Sequence, residues 1–202
     1  MIKQIEAYEP YNEQEARDKE IILSMLTEAE RMGEDIFSRE NRMAHMTASA
    51  WVVNRDRTKV LLAYHNIYNS WAWLGGHADG ERNLLSVAVR EVCEESGLTP
   101  AHVRPAWLIS QKGDLSQGSA GDIFSLEVLA VGGHFKKGEY ISSHLHLNVT
   151  YLLESDEEET LYKKEDENSS VKWFLPEEAL AASSEPWFAE HIYRKLNEKA
   201  GL

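Results

Sequence analysis

Gly75-Gly76-His77-Ala78-Asp79-Gly80-Glu81-Arg82-Asn83 leads into residues 84–89 and then into Arg90-Glu91-Val92-Cys93-Glu94-Glu95-Ser96-Gly97-Leu98. Between about residues 83 and 96, Leu85, Ala88, Val89 and Val92 recur at helical spacing, which predicts a helix with Gly97 at its C-terminal stop. On that helix Glu91, Glu94 and Glu95 stand at i, i+3 and i+4, so the three carboxylates share one face. Like charges placed this way destabilise an isolated helix by roughly a few tenths of a kcal/mol per pair. Arg90 is the only cation beside them in the run. An acidic helix face is most often solvated surface and says little alone. Glycines on both sides change that reading, because glycine lets backbone approach a ligand and present carbonyls to a metal. Clustered oxygen donors suit hard cations such as Mg2+ or Mn2+.

Outward from this run the chain alternates irregularly between strand-like and helix-like segments. Residues 12–32 carry Ile22, Met25, Leu26 and Ala29 at helical spacing, with Gly33 as a stop. Residues 46–54 and 59–65 read as two strands of a hairpin around a turn at 55–58. Trp71 to Leu74 is short and apolar, and the Gly75-Gly76 pair is expected to break it. Strands are expected at 106–111, 123–131, 145–153 and 171–174, a Gly/Ser/Asp-rich loop at 112–121, and helices at 176–182 and 186–199. Residues 154–169 are so highly charged that they must be largely solvated. The pattern implies a mixed sheet covered by helices.

Bulk properties narrow the function. The chain has 202 residues and a formal net charge of −13. That excess of acid argues against general binding to nucleic acid, which needs a basic surface. It also means that a phosphate substrate would need a cation to offset repulsion. No stretch approaches the roughly 18 apolar residues of a membrane span. The polar, acidic N-terminus is unlike a secretory signal, and the single cysteine, Cys93, fits a reducing cytoplasm.

The run from Gly76 to Leu98 resembles the Nudix box, G-x5-E-x7-R-E-U-x-E-E-x-G-U with U a bulky apolar residue. Gly76, Arg90, Glu91, Val92, Glu94, Glu95, Gly97 and Leu98 all fall where the pattern asks. One position departs: Arg82 stands at the first glutamate position, and Glu81 lies one residue early. Either the loop is rearranged so that Glu81 serves, or that site is lost. The resemblance implies an α/β/α sandwich around a mixed β-sheet, with residues 1–44 as an N-terminal helical extension, residues 45–202 as the Nudix domain, and a C-terminal helical extension. It implies a pyrophosphohydrolase that cuts a phosphoanhydride in a nucleoside diphosphate linked to another moiety, by water attack at phosphorus with Mg2+ (or Mn2+). Glu91, Glu94, Glu95 and the Gly76 carbonyl would hold metal. Glu91 would also orient or deprotonate water, and Arg90 would pair with a box glutamate. A later carboxylate is expected from Glu165, Asp166 or Glu167, with Glu167 favoured.

Arg39, Tyr64 and His77 are the candidate substrate contacts. Trp51, Trp71 and Trp73 belong more naturally to the core than to a base-stacking site. His144 and His146, two apart on a predicted strand, share a face and are a candidate transition-metal pair, although no third ligand stands at fixed spacing. The N-terminal helix is a candidate substrate cap or homodimer contact, or simply packs on the sheet. The rival functional reading is a Nudix-fold sensor that binds a nucleotide or metabolite without turnover. Isopentenyl-diphosphate isomerase shares the fold, but its chemistry resembles a cysteine–glutamate pair, and Cys93 lies inside the box helix.

Overall fold

In the computed structural model, residues 1–67, 69–106, 122–136, 138–164 and 168–202 are described. In chain order the helices are α1 (Ile2–Ala7), α2 (Glu13–Met32), α3 (Leu84–Ser96) and α4 (Pro176–Ala182), followed by a helical tail. The strands are β1 (Ala44–Asn54), β2 (Val60–His65), β3 (Ser70–Ala72), β4 (Leu74–His77), β5 (Arg104–Pro105), β6 (Ile123–Val131), β7 (His134–Lys136), β8 (Glu139–Ile141), β9 (His144–Ser155) and β10 (Asn168–Phe174). The architecture is α/β, a mixed sheet flanked by helices. The chain forms two compact units, and β1, β9 and α3 each contribute residues to both.

The first unit comprises Met1–Ala48, Gly76–Val87 and Ile123–Thr150. Its sheet runs β4-β1-β9-β6, and β7 and β8 pair as a separate antiparallel hairpin. Helix α2 packs on β6 and α1 packs on α2. The ends of α2 follow from local chemistry: the Asn12 side chain accepts from Glu15 N, and Gly33 closes the helix at φ 70°. Its stripe of Ile22, Leu26 and Ala29 is buried with Ile36, Phe37, Met46, Phe124, Leu126, Leu147 and Val149.

A polar layer crosses this core. Glu15 of α2 is fully buried, as are Ser125 and Glu127 of β6. Tyr8 Oη donates to Glu15 Oε2 at 2.5 Å, and Tyr11 N donates to the same oxygen at 2.8 Å. Ser125 Oγ lies 2.7 Å from Glu15 Oε1 and also contacts Glu127 Oε1. Glu127 Oε2 accepts from Asn148 Nδ2 at 3.0 Å and Thr150 Oγ1 at 2.8 Å, and Thr47 Oγ1 donates to Asn148 Oδ1 at 2.9 Å. Every carboxylate oxygen in the layer lies within hydrogen-bond distance of a polar group, with the Ser125 hydroxyl shared between Glu15 and Glu127, which is what makes its burial tolerable.

The second unit comprises Ser49–Gly75, Ala88–Asp122 and Tyr151–Leu202. Its sheet runs β10-β2-β1-β9-β5, with β3 on β2. Strands β2 and β10 pair antiparallel from His65↔Asn168 to Val60↔Phe174. All eleven residues of β1 are buried, as befits a strand with neighbours on both sides. Trp51 is fully buried against Tyr193, with ring centroids 5.3 Å apart, and Trp73 is also buried, so both belong to the core. Trp71 is half-buried against Phe174.

Several expectations change. Gly75 and Gly76 do not end a strand but lie inside β4. The helix expected at 186–199 is interrupted: Pro186–Phe188 is one turn, Ala189–Tyr193 is π-helical, and Arg194–Ala200 resumes the α form. The hairpin of β7 and β8 and the helix α1 lacked a clear sequence signal. The charged stretch is not all loop, since β9 runs to Ser155 and β10 starts at Asn168. The strand expected at 106–111 and the loop at 112–121 lie almost wholly outside the described residues.

Candidate functional site

Helix α3 delivers the acids as its periodicity demands. Val92 is buried on the core side, and Glu91, Glu94 and Glu95 present graded exposure: half-buried, exposed and buried. Gly97 ends the helix at φ 74°, and its amide donates to Cys93 O at 3.0 Å. A second constraint acts there. A Cβ on Gly97 would stand 2.7 Å from Tyr162 Cβ, because the chain returning from β9 passes close and Tyr162 N donates to Ser96 O at 2.8 Å. Glycine is needed both for the backbone angle and for this approach.

Each acid is held differently. Glu95 Oε2 accepts from Gly75 N at 3.0 Å, and its Oε1 faces His65 Nδ1 at 3.8 Å. His65 Nε2 donates to Trp73 O at 3.2 Å, which leaves Nδ1 turned toward the acid. Asn168 Nδ2 donates to the Glu95 carbonyl at 2.9 Å, tying the start of β10 to the end of α3. Arg90 Nη2 donates to Glu91 Oε1 at 2.8 Å, and Arg90 Nε lies 3.7 Å from Glu94 Oε1. Lys164 Nζ donates to Glu94 Oε2 at 3.0 Å. Burial pushes the Glu91 carboxyl above the usual carboxylate range, and the bond from Arg90 only partly opposes this. Burial and the nearby Glu94 raise the Cys93 thiol, the opposite of an activated nucleophile.

These atoms form a donor set suited to a hard dication: carboxylates on successive turns of one helix face. Two cations, Arg90 and Lys164, offset three acids only in part. A bound divalent ion would supply what is short, so the residues fit the metal that the box implies.

The remaining expected site residues fall as follows. Gly76, His77 and Arg39 belong to the first unit. Arg39 forms a two-pronged ion pair with Asp79, with Nε donating to Oδ1 at 2.6 Å. Arg82, at the departing box position, donates from Nη2 to Asp35 Oδ1 at 3.1 Å and lies over the Phe37 ring at 4.5 Å. Glu81 Oε1 accepts from Asn83 N at 2.7 Å, at the entry to α3. The loop is therefore fastened by Arg82 to residues 35–37. Tyr64, in the second unit, donates to Asn69 Oδ1 at 2.7 Å. Glu165, Asp166 and Glu167, the expected later carboxylates, lie outside the described residues. Sequence reasoning missed His65, Lys164 and Asn168. All three meet α3 from distant parts of the chain, and none belongs to a local pattern.

The NUDIX domain family model matches residues 43–196. The chain belongs to the Nudix family. It is a Nudix pyrophosphohydrolase in the broad sense, a hydrolase of acid anhydrides, in a family that generally uses divalent metal. Among solved structures, the MutT protein from Methanosarcina mazei Go1 is similar at 15% identity and a TM-score of 0.51, over 78% of this chain and 96% of that one. The Ap4A hydrolase binary complex from C. elegans is similar at 17% identity and a TM-score of 0.50, over 76% of this chain and 93% of that one. At such identities the likeness concerns the Nudix fold. No curated protein matches the sequence. Among the described residues, no helix is long and apolar enough to cross a membrane.

Proposed function

We propose that this Nudix hydrolase cleaves the phosphoanhydride bond of a nucleoside diphosphate linked to another moiety, using Mg2+ (or Mn2+), with water attacking phosphorus, in the cytoplasm. The observation that carries the reading is the graded carboxylate triplet Glu91, Glu94 and Glu95 on one face of α3. When bound, the dication neutralises phosphate oxygens and lowers the pKa of water. The protein's part is mostly positioning and charge stabilisation. Glu95, fixed by the Gly75 amide, and Glu94, steadied by Lys164, act as ligands. Glu91, oriented by Arg90, is a further ligand or takes the proton of the attacking water.

The test is a turnover screen of nucleoside triphosphates, ADP-ribose, dinucleoside polyphosphates, nucleotide sugars and CoA, with Mg2+ or Mn2+, in wild type and in a Glu94→Gln/Glu95→Gln variant. Metal-dependent formation of the two phosphorylated products by wild type and its loss in the variant are expected. Flat rates across the whole set, or an undiminished rate in the variant, would overturn the reading.

A further inference from the structure

His144 and His146 find partners in the fold that the sequence did not reveal. In the first unit β4 pairs with β1 and β1 with β9, so His77 at the end of β4, His45 on β1 and the two β9 histidines stand on three adjacent strands. The rings of His45, His144 and His146 form a nearly equilateral triangle, with centroids 4.9 to 5.0 Å apart. One ring nitrogen from each lies within 4.8 Å of the others. His77 adds a fourth ring, 5.0 Å from His45 and 4.9 Å from His146.

The tautomers decide what such a cluster can do. His45 Nδ1 lies 3.0 Å from Asn41 O, and His144 Nδ1 lies 2.9 Å from Ser142 O. A carbonyl only accepts, so both Nδ1 atoms carry hydrogen, and in the neutral rings both Nε2 atoms carry lone pairs. Donation of the second ring nitrogen to a backbone carbonyl is the arrangement that orients histidine ligands around a metal. His144 Nε2 lies 3.2 Å from His146 Nε2. Two imidazoles on one ion with metal–nitrogen bonds of about 2.0–2.1 Å stand about 2.9–3.4 Å apart, depending on the geometry. A proton on His146 Nε2 would satisfy His144 alone. His45 Nε2 would still be buried with no hydrogen-bond partner among the described residues, as it is here. One cation satisfies all three nitrogens.

We propose that His45, His144 and His146 form a site for a divalent transition-metal ion of the zinc class, with His77 beside it as a further ligand. Neutral nitrogen donors favour Zn2+, Co2+ or Ni2+ over Mg2+. The ligand set shares no residue with the carboxylates of α3. The proposal therefore stands whether or not those carboxylates bind Mg2+.

The test uses the full chain, stripped with chelator and titrated with Zn2+, while the imidazole nitrogens are followed by NMR. At one equivalent, the Nε2 resonances of His45, His144 and His146 should move together, and those of His102, His134 and His191 should stay in place. His134 is a close control, with its ring centroid 6.4 Å from that of His144. A Co2+ titration then separates the two metal sites. The visible absorption of nitrogen-ligated Co2+ should persist in the Glu94→Gln/Glu95→Gln variant. In His144→Asn the Co2+ affinity should fall by about tenfold or more. Unmoved Nε2 resonances in excess Zn2+, or a Co2+ spectrum lost with the glutamates and kept without His144, would overturn the site. Because the Zn2+ titration is made on wild type, a folding defect in a variant cannot imitate its result.

Discussion

Glu94 and Glu95 are adjacent in sequence, yet α3 turns one toward solvent and Lys164 and the other into the protein against Gly75 and His65. Their substitutions should differ accordingly. Glu94→Gln loses an exposed ion pair worth at most about 1 kcal/mol, so stability should barely change and metal-dependent kcat should drop. Glu95→Gln keeps an oxygen to accept from Gly75 but removes charge from a buried position. Partners of metal ligands alone are worth roughly 10–100-fold in affinity or activity. A loss of about 100-fold or more in metal-dependent kcat is therefore expected for each variant, read by formation of the phosphorylated products alongside a thermal melt. Gly97→Ala tests the helix end. The left-handed backbone and the Tyr162 contact act together, so the expected cost is about 1–3 kcal/mol in urea unfolding. If the cost stays within a few tenths of a kcal/mol, the Tyr162 approach does not constrain this position. The glutamates and Gly97 were legible because helical spacing is local. His65, Lys164 and Asn168 were not, because what they contact is set by sheet register and chain return rather than by any spacing.

At the scale of elements, α2 was readable from its stripe, its Asn12 cap and its Gly33 stop. Its most consequential residue was not. Glu15 looks like any acid in the first turn of a helix, where charge is favourable, but it is buried and bonded to Ser125 of β6. Ser125 and Glu127 likewise interrupt an apolar strand pattern for a reason that only pairing with α2 and β9 discloses. The interruption of the tail by a π-helical turn at Ala189–Tyr193 had no local cue either. Serine has a single proton and faces two carboxylates, which makes the chemistry of the Glu15 position testable. Glu15→Gln keeps an acceptor for Tyr8 and Tyr11 and adds an amide donor toward Ser125. Glu15→Ala leaves the partners buried without it. Removing one member of a buried charged network costs about 3–5 kcal/mol, so the alanine variant should lose stability on that order and the glutamine variant clearly less. Equal losses in urea unfolding would show that the hydrogen bonds of this layer contribute little.

For the molecule as a whole, each compact unit holds a tyrosine whose ionisation is resisted. Tyr8 belongs to the first unit, where burial and then Glu15 raise its phenol far above the usual range. Tyr151 belongs to the second, where burial alone raises it. The folded protein therefore keeps two protons that the unfolded chain releases near pH 10. These phenols favour the fold fully below the unfolded pKa, and that contribution is lost as pH rises toward the folded values. Above pH 10 or so, the loss should be about 1.4 kcal/mol per pH unit for each phenol. The check is a spectrophotometric titration with urea unfolding at several alkaline pH values. At least two of the eight tyrosines should fail to ionise until the chain unfolds. Tyr151→Phe should remove about half of the alkaline slope. If all eight ionise reversibly near pH 10 with the fold intact, both phenols are reached by solvent and the predicted alkaline weakness is absent.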